Sequence, residues 1–197
     1  MEAPADLVAF VEREQPRLVR AVDLLLGDRA VAEEITQEAL LRAASRWEKV
    51  RSLGSPGGWT HRVAINLATS QLRRRRVERR ARARMASQDG PSWSDAPTEH
   101  DPEQTAAVRR ALARLSAADR RRLVLRHVLD WSAEEIGDLE GASAATVRQR
   151  LHRARQALRD ELTSEAPSLH LDLDDDATDD DPRPDVTTTH EETSDVR

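Results

Sequence analysis

The sequence predicts an all-α protein made of two small helical domains joined by a flexible linker. The second domain is a helix-turn-helix, and a disordered acidic C-terminal tail follows it. Aromatic residues make up only 3% of the 197 residues, with one Phe and no Tyr. Because strands favour aromatic and β-branched side chains, this composition argues against sheets. Ala, Leu, Arg and Glu dominate, and all four are good helix formers.

Composition and motifs also exclude several classes of function. The absence of cysteine excludes disulfides, thiolate catalysis and Cys-ligated zinc. The N-terminus is acidic before its apolar residues, and no apolar run is long enough to span a bilayer, so we expect a cytoplasmic protein without membrane insertion. We find no Gly-rich phosphate loop, metal-spaced His cluster or nucleophile–base pair. The sequence therefore predicts no enzyme activity, no cofactor and no metal site.

The net charge of −5 hides an uneven distribution. Residues 165–197 carry a net charge of −10, which leaves +5 on residues 1–164. Apart from Lys49, every basic residue is Arg. The Arg guanidinium stays charged and can form bidentate hydrogen bonds with phosphate groups and guanine edges. The body of the chain therefore favours an anionic partner. The tail either keeps the protein soluble or shields the basic helices.

Three helices are predicted in the first domain, 1–85. The first spans 6–26 and is broken at Gly27-Asp28. The second spans 29–48, where one apolar face repeats at four-residue spacing through Ile35, Ala39, Ala43 and Trp47. A Gly- and Pro-rich loop over 52–58 precedes the third helix, which begins near Trp59. Its end holds eight Arg and one Glu between Arg73 and Arg84, and such a charge block cannot be buried.

A linker rich in Pro, Ser, Gly and acids is predicted over 86–104, and the second domain over 105–163. Its first helix spans 105–115, and Ser116 caps the next. Ser132 and Glu135 have capping-box spacing, so a short helix begins there and ends near Gly141. Ser143 caps the last helix. The tail over 164–197 has few apolar residues and should be disordered.

The last helix carries the motif TVRQRLHRARQAL, from Thr146 to Leu158. Its apolar residues form a narrow arc of Val147, Leu151, Ala154 and Leu158. The rest of its surface is polar or basic, with no acid before Asp160, whereas solvated helices usually mix charges of both signs. In a helix-turn-helix this helix would read DNA, with base edges facing Thr146, Arg148, Gln149 and His152 and phosphates facing Arg150, Arg153 and Arg155.

Three stretches resemble bacterial sigma factors. LSAADRRRLVLRHVLDWSAEEIGDLEGASAATVRQRLHRARQALRDEL resembles their fourth conserved region. GDRAVAEEITQEALLRAASRW and PGGWTHRVAINLATSQLRRRR resemble their second region. The order of the motifs and the lack of other sigma regions are similar to the extracytoplasmic function (ECF) class of the sigma-70 family. The resemblance implies a subunit that binds core RNA polymerase and directs it to specific promoters.

The resemblance also implies roles for individual residues. The polymerase β′ clamp would dock on Glu33, Glu34, Gln37, Glu38 and Leu41. The minus-10 element would be held by Arg62, Asn66, Arg73, Arg74, Arg75 and Arg76, with Asn66 helping to capture a flipped base. The minus-35 element would be contacted by Arg148, Gln149, His152 and Arg153, within the wider set of Thr146, Arg148, Gln149, His152, Arg153 and Arg155. Further implied partners are the β flap and an anti-sigma factor.

Three departures from the family pattern and two alternative functions accompany this interpretation. Glu140 stands where relatives usually have an apolar residue, and Ser70 stands where Asp is common. The loop over 50–58 has Gly and Ser where many relatives have aromatic residues. We expect Trp47 and Trp59 to pack in the core. A helix-turn-helix repressor or activator would explain the second domain alone, but it needs neither the acidic helix nor the Arg-rich helix around Asn66. An enzyme is the other alternative.

Overall fold

The computed structural model describes residues 4–83 and 102–165, which form eight α-helices in two halves. The N-terminal half contains α1 (Ala5–Leu26), α2 (Arg29–Ala44), α3 (Trp47–Arg51) and α4 (Pro56–Ala83). The C-terminal half contains α5 (Pro102–Arg114), α6 (Ala117–His127), α7 (Ala133–Glu140) and α8 (Ala144–Glu165). The predicted all-α fold is confirmed. Most of the predicted linker and tail lies outside the described residues.

Local capping interactions set the boundary between α1 and α2. Gly27 has a left-handed conformation, with φ 66°, and its N–H donates to the Asp23 carbonyl at 2.7 Å. The Asp28 carboxylate then accepts a hydrogen bond from the Val31 N–H at 3.1 Å. The break predicted at Gly27-Asp28 is therefore confirmed.

The second predicted helix is in fact two helices. α2 ends at Ala44, and the chain turns at Ser45–Arg46 before α3 begins. The Ser45 hydroxyl donates to the Arg42 carbonyl at 3.0 Å, which satisfies one acceptor at the end of α2. Trp47 still reaches the core after this turn, and its indole N–H donates to Asp6 at 3.1 Å.

Two helices begin earlier than predicted, and both begin with proline. α4 starts at Pro56, inside the loop predicted over 52–58, and α5 starts at Pro102, inside the predicted linker. Proline is accepted at the first helical position because the N–H it lacks would have no partner there. The composition of these stretches predicted a loop and a linker, so the two helix starts were not predicted.

Helices of both halves contribute buried side chains to one apolar core cluster. In the N-terminal half, α1 packs against α2 and α4 around Leu18 and Ile65, both 0% exposed. In the C-terminal half, α8 packs against α5, α6 and α7 around Leu125 and Ile136, also 0% exposed. The expected burial of Trp47 is confirmed, and Trp59 packs against the core while half-buried. α1 also packs against α6, so the two halves are in contact.

The turn between α7 and α8 depends on a close backbone approach at Gly137. A Cβ atom at this position would lie 2.5 Å from the Ala142 carbonyl oxygen. The Ala142 N–H donates to the Gly137 carbonyl at 3.0 Å, which holds the two backbones together. Gly141 ends α7 with φ 64°. The turn therefore needs one glycine for space and one for conformation.

We expect Gly137→Ala to destabilise the C-terminal half by about 1–3 kcal/mol, because backbone must move to accept the methyl group. In an open helix the same change would be stabilising by about 1 kcal/mol, so the sign of the effect reports the clash. Chemical denaturation measures it. Gly141→Asn is the matched control, since nothing lies within 4 Å and Asn tolerates a left-handed conformation. A Gly137→Ala protein more stable than wild type would contradict this account of the turn.

Candidate functional site

The apolar arc predicted for α8 is its buried stripe. Val147, Leu151, Ala154 and Leu158 are 0%, 3%, 1% and 4% exposed. The Ser143 hydroxyl accepts a hydrogen bond from the Thr146 N–H at 3.2 Å, which confirms Ser143 as the residue that caps α8. The arc fixes the rotation of α8 about its own axis. It therefore determines which side chains point away from the protein.

Opposite this arc, α8 presents a polar face. Gln149, His152 and Arg153 are exposed, and Thr146 lies half-buried at the start of the helix with its hydroxyl 2.9 Å from the Ser143 hydroxyl. At 100° per residue these four positions lie within about 120° of the helix surface. The structure therefore brings four of the six predicted residues together on one outward face.

Arg148 lies at the edge of this face and has an acidic partner on the neighbouring helix. Its guanidinium is 2.8 Å from the Glu134 carboxylate on α7, and both side chains are about half exposed. The sequence pattern considered only acids within α8, so it missed this pair. An exposed pair of this kind is worth about 0–1 kcal/mol, so a phosphate can compete for Arg148.

Arg155 requires a correction, because its side chain is not on the outward face. The residue is only 8% exposed. Its position on the helix lies about 70° from the middle of the apolar arc, next to Leu151 and Leu158. Packing of α8 against the other helices therefore covers Arg155, and the expectation that it faces a DNA phosphate is not met.

A buried carboxylate ties α7 to its neighbours beside the turn. The Glu140 side chain is 4% exposed and lies 3.1 Å from Arg121, 3.0 Å from Arg122 and 3.0 Å from Arg150. Burial raises the pKa of Glu140, but hydrogen bonds from Arg121 and Arg122 outweigh it, and the net pKa is lowered. Arg150 is therefore held by Glu140. In the sequence, the only indication of this ion-pair cluster was that Glu140 stands at a position that is usually apolar in relatives.

The basic helix α4 presents a second outward face. Arg62, Asn66, Arg73 and Arg76 are exposed and lie within about 80° of one another around the helix. Arg62 and Arg76 are separated by about 21 Å along the axis, roughly the length of six base pairs. Arg74 is also exposed but lies to one side. This face could follow a nucleic-acid strand.

Arg75 departs from this face. It lies on the opposite side of α4, where its guanidinium is 2.7 Å from the Asp28 carboxylate and donates to the Leu26 carbonyl at 3.4 Å. The pKa of Asp28 is lowered, chiefly by the hydrogen bond from the Val31 N–H and further by Arg75. Arg75 thus joins α4 to the α1–α2 junction, and its predicted role in holding DNA is not supported.

The base of α4 is anchored by a buried polar pair. His61 Nε2 lies 2.9 Å from a Glu14 carboxylate oxygen, and the two side chains are 7% and 5% exposed. Burial lowers the pKa of His61 despite the neighbouring carboxylate, so the neutral ring donates its N–H to Glu14. Because this pair fixes His61 in the core, the backbone of the next residue, Arg62, is also held in place.

The acidic face of α2 consists of five exposed residues, namely Glu33, Glu34, Gln37, Glu38 and Leu41. Leu41 is 57% exposed, which is unusual for a large apolar side chain. Glu33 and Glu38 each have an arginine partner on α2 at 2.7 Å. A cleft of about 690 Å³ between α1 and α2 adjoins this face and is lined partly by Glu33, Gln37 and Leu41. The structure therefore gathers all five predicted residues on one surface.

Within residues 4–83 and 102–165, none of the helices combines the length and hydropathy that crossing a bilayer requires.

Comparison with known proteins identifies both halves. The family model for sigma-70 region 2 matches residues 10–78, and the model for sigma-70 region 4 matches residues 105–158. The acidic face of α2 and the outward face of α4 belong to the first match, and the outward face of α8 belongs to the second. A repressor does not account for the match in the N-terminal half.

Relatives and one solved structure agree with these matches. The chain is 32% identical to the RNA polymerase sigma-E factor of Streptomyces coelicolor over 79% of this chain and 85% of the relative. It is 27% identical to the ECF sigma factor SigW of Bacillus subtilis over 70% of this chain and 79% of that relative. The fold resembles the sigma factor RpoE of Bartonella quintana, solved with the anti-sigma factor NepR, with TM-score 0.69, 22% identity and coverage of 81% of this chain and 98% of that one. The chain thus belongs to the ECF class of the sigma-70 family and directs RNA polymerase to promoters, with its region 4 reading the minus-35 element.

Proposed function

We infer that three surfaces of this sigma factor each bind a different partner. The outward face of α8 reads the minus-35 element, the outward face of α4 holds the minus-10 element, and the acidic face of α2 docks on the polymerase β′ clamp. The observation that carries this proposal is the outward face of α8, where Gln149, His152 and Arg153 are exposed opposite a fully buried arc.

Different side chains on α8 serve different purposes. Gln149 can bond an adenine edge and Arg153 a guanine edge or a phosphate, and a bidentate base contact is worth about 1–3 kcal/mol of discrimination. Thr146 and His152 lie beside them, and Arg148 reaches the phosphates by exchanging its partner Glu134. Arg155 is left out of the interface because it is buried.

For the minus-10 element, Arg62, Arg73, Arg74 and Arg76 hold the DNA backbone, and Asn66 contacts a flipped base. The exposure of Asn66 and its position between Arg62 and Arg73 on one face support this role. The Ser70 hydroxyl donates to the Asn66 carbonyl at 2.9 Å, so Ser70 bonds the backbone and leaves the Asn66 amide available. An amide can satisfy the Watson–Crick edge of a base that has left the stack.

The remaining partners follow from the family. The likeness to RpoE, which was solved with an anti-sigma factor, supports an anti-sigma factor for this chain. Region 4 would contact the β flap of the polymerase. We further propose that the protein has no catalytic activity of its own and that it works in the cytoplasm, at the nucleoid through the polymerase.

The salt dependence of DNA binding tests the α8 interface without knowledge of the promoter. Arg153→Gln should reduce the slope of log K against log salt by about 0.9 on a duplex of random sequence, because one phosphate contact is lost. Arg155→Gln is the matched control and should leave this slope unchanged, since Arg155 is buried. Equal slopes for wild type and Arg153→Gln, or a lower slope for Arg155→Gln alone, would contradict the assignment.

A further inference from the structure

The outward face of α8 is basic in the middle of the helix and acidic near its end. Arg148, His152 and Arg153 are exposed on this face or at its edge. Asp160 lies on the same side of the helix, about two turns beyond Arg153. Arg148 pairs with Glu134, but both side chains are about half exposed, so another anion can displace this pair. The basic part of the face is therefore open to an anionic group other than DNA.

The sequence supplies an anionic segment shortly after this helix. Seven of the ten residues from 172 to 181 are Asp, and none of the ten is basic, so we call 172–181 the Asp-rich segment. The six residues APSLHL, 166–171, contain no acid and separate the segment from the end of α8 at Glu165. Residues 166–197 lie outside the described part of the chain, and both family matches end before them. Membership of the family therefore does not account for the Asp-rich segment.

The length of the spacer suits a return of the Asp-rich segment to α8. At 1.5 Å per residue, Arg153 lies about 18 Å and Arg148 about 26 Å before Glu165 along the helix axis. An extended chain spans about 3.3 Å per residue, so Asp172 can reach about 23 Å from Glu165 and the far end of the segment about 50 Å. The spacer is therefore just long enough to bring the first Asp to Arg153, and later ones can reach Arg148.

Covalent attachment to α8 makes weak charge contacts effective. A single exposed ion pair contributes little. A short connection, however, gives the Asp-rich segment an effective concentration on the order of mM beside α8. The outward face of α4 is also basic, but the segment is not joined to that helix and belongs to the other half of the chain. The connection therefore favours the outward face of α8 as the surface that the segment binds.

We propose that the Asp-rich segment docks on Arg148, His152 and Arg153 of the same molecule and competes there with DNA. Its carboxylates take the places of DNA phosphates, because both groups accept charge-assisted hydrogen bonds from arginine. Docking concerns the free protein alone. Only the competition rests on the proposed function, which assigns this face to the minus-35 element. The segment then lowers affinity for DNA of any sequence, because every duplex offers the same phosphates.

Disulfide trapping in the full-length protein tests the docking without DNA. Because the chain has no cysteine, Thr178→Cys in the Asp-rich segment can be combined with Gln149→Cys on the outward face, and neither change alters the charge. Mild oxidation at low salt should join these cysteines within one molecule several times faster than Thr178→Cys combined with Ala118→Cys, an exposed position on α6. Equal rates for the two pairs, a Gln149→Cys rate that does not fall at high salt, or trapping mainly between two molecules would overturn the docking.

Affinity for a random-sequence duplex tests the competition. One variant replaces four acids of the Asp-rich segment by Asn, namely Asp172, Asp174, Asp175 and Asp176. The matched control removes the same charge from later tail residues by replacing four acids with their amides, namely Asp185, Glu191, Glu192 and Asp195. The first variant should bind roughly threefold to tenfold more tightly than wild type at low salt, if about 10–30% of the wild type is undocked. The control should gain much less, and equal gains would indicate general repulsion and overturn the proposal.

Failure of the docking and failure of the proposed function give different results. If Arg153→Gln leaves the salt dependence of DNA binding unchanged, the proposed function of α8 is refuted, and the competition with it, while the trapping rates still decide on the docking. Faster trapping at Gln149→Cys together with equal DNA affinities of the first tail variant and the wild type would overturn the competition alone. Circular dichroism should show wild-type helix content in both tail variants, because the substitutions lie beyond α8.

Discussion

Glu140→Ala is expected to destabilise the C-terminal half by about 3 kcal/mol, because removing one partner leaves buried charge without compensation. Arg121 and Arg122 are 27% and 12% exposed, so they cannot recover full hydration when the carboxylate is lost. Asp119 still lies 2.7 Å from Arg122, which keeps the expected loss near the lower end for buried ion pairs. The loss would appear in chemical denaturation as a lower midpoint.

Glu134→Ala is the control for this prediction. Glu134 is also an acid of α7 with an arginine partner, but its side chain is 57% exposed, so its removal should change stability by about 0–1 kcal/mol. The pKa of Glu140 is lowered on folding, so its contribution is present above its ordinary value of 4.5 and is lost as pH falls toward the folded pKa. Equal losses for the two variants at neutral pH would contradict the role of Glu140.

Leu41→Asp is expected to weaken binding to core polymerase by about 2–4 kcal/mol, which corresponds to roughly 30-fold to 1,000-fold. Leu41 is the one apolar residue of the acidic face of α2 and borders the cleft between α1 and α2. A charge there would be desolvated on docking without a partner. Because Leu41 is 57% exposed in the free protein, folding should be little affected. Equilibrium binding to core polymerase without DNA measures the effect.

Val77→Asp is the matched control for the docking surface. Val77 is 66% exposed and lies on α4, outside the acidic face, so the same chemical change should leave polymerase affinity nearly unchanged. Circular dichroism should show that both variants retain wild-type helix content. A Leu41→Asp protein that binds polymerase as tightly as Val77→Asp would show that the face of α2 is not the docking surface.

Features set by local interactions could be predicted from the sequence. Ser116, Ser132 and Ser143 cap the helices expected to follow them, because a cap bonds an N–H only two or three residues away. The buried arc of α8 followed from the 3.6-residue period alone. Asn66 and the five residues of the acidic face of α2, to which the family resemblance assigned binding roles, are exposed.

Features that depend on distant parts of the chain could not be predicted in this way. Arg155 was expected at the surface, but its side chain is buried in the folded protein. Arg75 bonds Asp28, 47 residues away, and Arg109 bonds Asp23, 86 residues away. Charge alone does not identify such partners, because the sequence of an arginine block does not show which of its side chains point inward.

Transcription start-site mapping tests the central claim most directly. Core polymerase of the host bacterium would transcribe its genomic fragments with no sigma factor, with the wild-type protein, or with Gln149→Ala. The wild type should produce new, discrete starts that share sequences near −35 and −10. Gln149→Ala should relax the preference at one position of the minus-35 element and leave the minus-10 element unchanged. A wild-type protein that binds core polymerase but produces no shared minus-35 sequence, or a Gln149→Ala protein with an unaltered one, would contradict the reading of promoters by α8.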